Sequence, residues 1–181
     1  MMMALILPMI SFADENEKFD MIAYVENNNI STKEEFDEML LAYTNSIPEV
    51  NIGDLISFSV EIDYENSLVI TTTVCELQSM HGSVTGSASK NYYSQNGNKI
   101  FEVTVEGTFS YGNTYCNPIS VSGQFIPVLL SLWSSTPGCS MGNMSYSTAY
   151  CRTSGTATRL NQSVYYSVTL TCDHTGSLGG D

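Results

Sequence analysis

The sequence predicts a mainly β protein: an antiparallel β-sandwich or small barrel of about seven strands, led in by one or two helices. Three observations carry this. The apolar spacing changes from helical to alternating at Asp54. Short alternating segments, separated by turn residues, then succeed one another to the end. A capping sequence opens a helix before the change. The resulting division is a leading segment over 1–13, an acidic helical lead-in over 14–53 and a β domain over 54–181.

The lead-in comes first. Asn16–Val25 reads as a short helix with Phe19, Met21, Ile22 and Val25 as its apolar set. Ser31–Asn45 reads as a longer one. Ser31 at the N-cap, with Glu34 three residues on, forms a capping box. Phe36, Met39, Leu40 and Tyr43 make an apolar stripe, and Glu34, Glu35, Asp37 and Glu38 crowd the first turns, where the helix dipole favours negative charge. Pro48 and Gly53 punctuate the link to the β domain.

In the β domain, Ile56, Phe58, Val60, Ile62 and Tyr64 alternate with polar residues, and Leu68, Ile70, Thr72 and Val74 continue beyond a turn. A three-residue loop, Glu65-Asn66-Ser67, would set Ile62 opposite Ile70 and put both apolar sets on one face. Residues 78–98, rich in Ser, Gly, Asn and Tyr, read as a long loop. Phe101, Val103, Val105, Phe109 and Tyr111 form a strand, and Gly112-Asn113-Thr114 turns it into another whose Pro118 suits a sheet edge. The run Phe125–Trp133 reads as a fully buried strand or a short helix, and two last strands fall near 144–153 and 163–172.

Charge is unevenly placed. The net charge is −13, and 14 of the 19 acidic residues lie within residues 1–65 beside only Lys18 and Lys33. Such a balance argues against nucleic acid, whose binding neutralises phosphates with Lys and Arg, and disfavours anionic lipid. It suits solubility, or an acidic arm that docks on a basic partner.

Residues 1–13, MMMALILPMISFA, have the apolar length and small terminal residues of an export signal, although no basic residue precedes them. They are too short to span a bilayer, which takes roughly 20 apolar residues. The expectation is a secreted, extracellular protein without stable membrane insertion. There, five cysteines imply two disulfides and one leftover thiol. Cys116, Cys139, Cys151 and Cys172 are the disulfide candidates, and Cys75 the free one. A Cys151–Cys172 cross-strand bridge fails on strand parity unless Gly155 carries a bulge.

No pattern marks a catalytic centre or a cofactor. The cysteines lack a Cys-x-x-Cys spacing, so no metal site is expected. His81 and His174 fall in expected loops, and no nucleophile elbow or zinc-helix motif is present. Two surfaces invite attention. Glu61 and Asp63, with Glu102 and Glu106, could gather as an acidic sheet face able to hydrolyse a glycoside or hold calcium, or simply be solvated. Tyr92, Tyr93 and Tyr165, among eleven tyrosines, offer a recognition surface. The sequons at Asn29, Asn143 and Asn161 matter only in a eukaryotic secretory pathway.

The ending Val164-Tyr165-Tyr166-Ser167-Val168-Thr169-Leu170-Thr171-Cys172-Asp173-His174-Thr175-Gly176 resembles the last strand of small β-rich proteins secreted by Gram-positive gut bacteria, and Tyr150 to Ala157 is loosely similar. The resemblance implies a β-sandwich with a helical lead-in and carries no activity. The functional expectation is an exported, non-enzymatic module that binds a protein or glycan. The alternatives are a hydrolase of cell-wall or glycan substrates that uses the sheet carboxylates, and a membrane-active, toxin-like protein that uses the Phe125–Trp133 run.

Overall fold

The computed structural model describes residues 19–44, 52–129 and 131–181. The expected signal segment, residues 16–18 of the expected first helix, Asn45, Pro48 and Leu130 lie outside them. Among the described residues, two helices, α1 (Met21–Asn28) and α2 (Lys33–Thr44), precede nine strands. Strands β1 (Asp54–Asp63), β2 (Leu68–Met80), β3 (Ser83–Ser94), β4 (Lys99–Tyr111) and β5 (Cys116–Pro127) form one antiparallel sheet in sequence order. Strands β6 (Gly138–Ser145), β7 (Thr148–Arg159), β8 (Gln162–Asp173) and β9 (Leu178–Gly180) form the second. The sheets share one core and do not close into a barrel.

That core takes Val74, Tyr92, Phe101, Val103, Val105 and Phe109 from the first sheet and Cys151, Val164, Tyr166, Val168 and Leu170 from the second. A second core lies on the outer face of the first sheet, where Met21, Val25, Phe36, Met39 and Leu40 of the helices cover Val69 and Tyr93, with Phe58, Val60 and Ile62 packed against them. Strand β2 is therefore buried on both faces from Leu68 to Cys75.

Two cores correct the expected first hairpin. Its loop has four residues, and Ile62 faces Val69, not Ile70. That one-residue change turns the apolar side of β1 toward the helices, while Leu68, Ile70 and Val74 point into the core between the sheets. The sequence expectation assumed a single buried face, and β2 has two.

The capping box is also displaced by one residue. Thr32 is the cap: its Oγ1 accepts from the Glu35 amide at 3.3 Å, and the Glu35 carboxylate accepts from the Ser31 and Thr32 amides at 3.1 Å. Helix α1 starts at Asp20, whose Oδ1 accepts from Ala23 N at 3.1 Å.

Residues 78–98 are not a loop. They hold the end of β2 and all of β3, a central strand. Their small residues serve close packing. Gly86 and Gly107 are cross-strand partners facing the second sheet, and a Cβ on Gly107 would lie 2.6 Å from the Cys151 sulfur. Two rungs of the inner face thus stay shallow, with Ala88 and Gly123 on the next one. The run 125–133 is neither a doubly buried strand nor a helix: Phe125 to Pro127 end β5, an edge strand as Pro118 indicated, and Trp133 plugs the core. No charged residue occurs between Glu106 and Arg152. That span contains both β5 and β6, the neighbouring edges of the two sheets.

Candidate functional site

Outward-facing residues of the first sheet line up in rungs across its strands. One rung runs Ile62, Val69, Tyr93, Lys99 and is apolar where the helices lie. The next runs Val60, Thr71, Asn91, Glu102, Ile126, and the one after it Phe58, Thr73, Ser89, Thr104, Gln124. A further rung runs Leu55, Cys75, Ser87, Glu106, Ser122. Because α2 covers only part of this face, a groove of about 430 Å³ remains between the helix and β5.

Its floor is hydroxyl- and amide-rich: Thr71, Thr73, Ser87, Ser89, Asn91, Thr104, Ser122 and Gln124. Phe36 and Phe58 form the wall toward the helix, with ring centres 5.9 Å apart. The charges lining the groove are Lys33, paired with Asp37 at 2.5 Å, Lys99, paired with Glu102 at 2.8 Å, and Glu106. Cys75 lies at the edge of the floor; burial pushes its thiol up, and Lys33 acts in the opposite direction. Most telling is Asn91, only 4% exposed, whose Oδ1 has no hydrogen-bond partner. A buried carbonyl left unpaired is costly, of order 1–3 kcal/mol, and an incoming donor would recover that cost.

The four acids do not gather. Glu102 and Glu106 line the groove, whereas Glu61 and Asp63 lie on the opposite face of the sheet. The reason is again the two cores: the apolar side of β1 packs on the helices, that of β4 on the second sheet. Glu61 and Asp63 border a second recess of about 420 Å³ with Lys90, Tyr92, Tyr165 and Tyr166. It opens beside β8, where the three-residue β9 pairs only with Leu170–Cys172. Glu61 lies 3.9 Å from Lys90, and Asp63 accepts from the Asn66 amide and side chain at 3.0 and 2.7 Å.

Nor do the three tyrosines share a surface. Tyr92 stacks on Phe101 in the core between the sheets, ring centres 4.3 Å apart, and Tyr93 packs beneath the helices. Burial, then the nearby Glu61 and Asp63, raise the Tyr92 hydroxyl well above its ordinary range. Tyr165 alone is exposed, at the second recess. Consecutive strand residues point to opposite faces, so Tyr92-Tyr93 could never act as a pair.

All five cysteines are free thiols in the structure. Cys116, Cys151 and Cys172 converge in the core between the sheets, while Cys139 is exposed on β6 with its sulfur 3.8 Å from Thr153 Oγ1. Cys151 and Cys172 both point inward without any bulge, while Tyr150 stands beneath Arg152 on the other face of β7. Among the described residues no group of His, Cys, Asp and Glu could hold a metal ion, and no helix is long and apolar enough to cross a membrane. Of the apolar run, Phe125 and Trp133 pack in the core, while Ile126, Leu129 and Leu132 are exposed.

Sequence reasoning missed Asn91 because it fell in the expected loop. The signal was there: Val84, Ala88 and Tyr92 keep one parity, and Ser87, Ser89 and Asn91 keep the other. No family model matches the chain, and no curated protein or solved structure matches it.

Proposed function

We propose that this protein is an exported, non-enzymatic binding module, a two-sheet sandwich that takes a neutral glycan in the groove beside α2. One observation carries the reading: Asn91 presents an unpaired buried carbonyl in a floor otherwise made of hydroxyls and amides. Sugar hydroxyls both donate and accept, which matches such a floor, and Phe36 and Phe58 offer apolar surface to a sugar's C–H face. Ion pairing at Lys33 and Lys99 leaves Glu106 as the one uncompensated charge among the described lining residues, a groove more suited to a neutral ligand than to an anion. Export rests on the pattern of residues 1–13.

Hydrolysis has weaker support. Glu102 and Glu106 stand four residues apart on one strand, about 13 Å, beyond the roughly 5–10 Å separation of a glycosidase pair. Glu61 and Asp63 are about 7 Å apart, yet Asp63 accepts twice from Asn66 and Glu61 lies beside Lys90, so both carboxylates already have partners. The membrane-active alternative keeps only part of its run: Phe125 and Trp133 pack in or against the core, while Ile126, Val128, Leu129 and Leu132 are exposed.

The test is calorimetric titration with soluble hexasaccharides of glucose and of N-acetylglucosamine, with acidic oligosaccharides and short peptides as comparators. The expected result is saturable binding of a neutral sugar that Asn91→Ala weakens about tenfold, the effect of roughly 1.4 kcal/mol. Failure of every neutral sugar to bind, or binding indifferent to both Asn91→Ala and Gln124→Ala, overturns the reading.

A further inference from the structure

We propose that Cys116 and Cys172 are the two halves of an inter-sheet disulfide, one that fastens the first residue of β5 to the end of β8. A side-chain contact and a strand pairing place them together, and the Cys172 thiol also donates to Asp173 O at 3.4 Å. The Cys116 thiol lies against both the Cys172 thiol and the backbone of Ala149. Ala149 and Cys172 are themselves partners across β7 and β8, so Cys116 sits directly over that rung. The Cys116 backbone is fixed there as well: its N–H donates to Tyr146 O at 3.3 Å, and its carbonyl accepts from Asn143 Nδ2 at 2.6 Å. Both thiols are shut away from solvent, at 0% and 1% exposure.

Cys139 and Cys75 are excluded by position, and Cys151, which shares the core with both thiols, is engaged elsewhere. Cys151 pairs across from Leu170, two residues further along β8, and its thiol donates to Ser120 O at 3.4 Å. Cys139 is exposed on β6, and Cys75 lies on the outer face of the other sheet.

The chemistry is thiol–disulfide exchange with an external disulfide such as oxidised glutathione. One cysteine thiolate attacks the external disulfide, forming a mixed disulfide and releasing one external thiolate. The second cysteine thiolate then displaces the other external thiolate and closes the Cys116–Cys172 bond. Two protons leave the protein and two electrons pass to the external disulfide, which ends as two thiols. Burial makes both thiols harder to ionise and denies the oxidant access, so closure belongs to folding and not to the finished core. Joining β5 to β8 closes a long loop, the kind of cross-link that most restricts the unfolded chain.

The positions of Lys and Arg make the test direct. Cys116, Cys139 and Cys151 lie between Lys99 and Arg152, and Cys172 lies beyond Arg159. Reduced, unfolded protein is refolded in a glutathione redox buffer, alkylated under denaturing conditions and cleaved at Lys and Arg without reduction. The expected product joins the 100–152 and 160–181 peptides, and further cleavage at aromatic residues leaves Cys116 on the linked fragment. Cys75, Cys139 and Cys151 are alkylated. Cys151→Ser keeps the link, Cys172→Ser abolishes it, and the oxidised wild type unfolds at higher urea concentration than the reduced form. Alkylation of all five thiols, or a link from Cys116 or Cys172 to Cys75, Cys139 or Cys151, overturns the proposal. The outcome does not depend on the groove, so failure here leaves the glycan reading standing.

Discussion

Phe36 of α2 stands edge-on to Tyr93 of β3, their ring centres 5.3 Å apart and their planes at 63°. This contact fastens the lead-in to the sheet and sets one wall of the groove. Phe36 is 2% exposed, so Phe36→Ala should lose about 3–5 kcal/mol of stability, the usual cost of truncating a buried aromatic. Urea unfolding measures it. A loss under about 1 kcal/mol would mean that α2 is not part of the cooperative unit.

The displaced capping box makes a sharp pair of variants. Thr32→Ala removes the acceptor for the Glu35 amide and should cost about 1 kcal/mol. Ser31→Ala leaves both reciprocal bonds in place and should be close to neutral. Equal effects, or the reverse order, would restore the register expected from the sequence.

Acid should loosen the β8–β9 turn. Asp173 Oδ1 accepts from the Thr175 hydroxyl at 2.6 Å and from the Thr175 and Ser177 amides at 2.8 and 3.1 Å. The Thr175 hydroxyl leads in holding this carboxyl below its ordinary range. A carboxylate lowered on folding stabilises fully above its unfolded value, about 3.9, and the benefit fades as pH falls through the folded value. Asp173→Asn should therefore melt earlier than the wild type at pH 7, with the gap closing below about pH 4. A gap independent of pH would show that the charge is not the cause.

Gly123 faces Thr153, a residue with no exposed surface. A Cβ on Gly123 would overlap Thr153 Oγ1 and lie 2.8 Å from Thr153 Cβ and 2.9 Å from the Thr104 carbonyl oxygen. Gly123→Ala should destabilise by about 1–3 kcal/mol or more through overpacking. Adding Thr153→Ala should return part of that loss in a double-mutant cycle. Strict additivity would rule out the contact.

Legibility in the sequence tracks which forces are local. The strand period at Phe58, Val60 and Ile62, the edge proline at 118 and the helix stripe from Phe36 to Leu40 were all readable, because each depends on one segment's own pattern, whereas Ile56 falls at a register break and Tyr64 in the turn. The register of β1 on β2 was not, since a strand buried on both faces gives its neighbour two apolar sides to choose from. Strand β3 was hidden by its Ser, Gly and Asn content, which weakens local strand preference yet is what a close sheet contact needs at Gly86. The groove inherited that loss. Glu102 and Glu106 were found because their strand was found, and Asn91 was missed because its strand was not.

The uncharged span from Gly107 to Cys151 has an electrical consequence for the whole molecule. It supplies one flank, the paired edges β5 and β6, while Glu26, Glu34, Glu35, Asp37 and Glu38 ride on the helices and Glu61, Asp63 and Glu65 lie on or just beyond β1 at the far edge of the sheet. The protein is thus a lopsided anion, with its centre of charge displaced from its centre of mass. Near any negatively charged surface the resulting torque turns the helices outward and brings the neutral flank forward. Added salt weakens that torque within a Debye length of about 10 Å at 0.1 M.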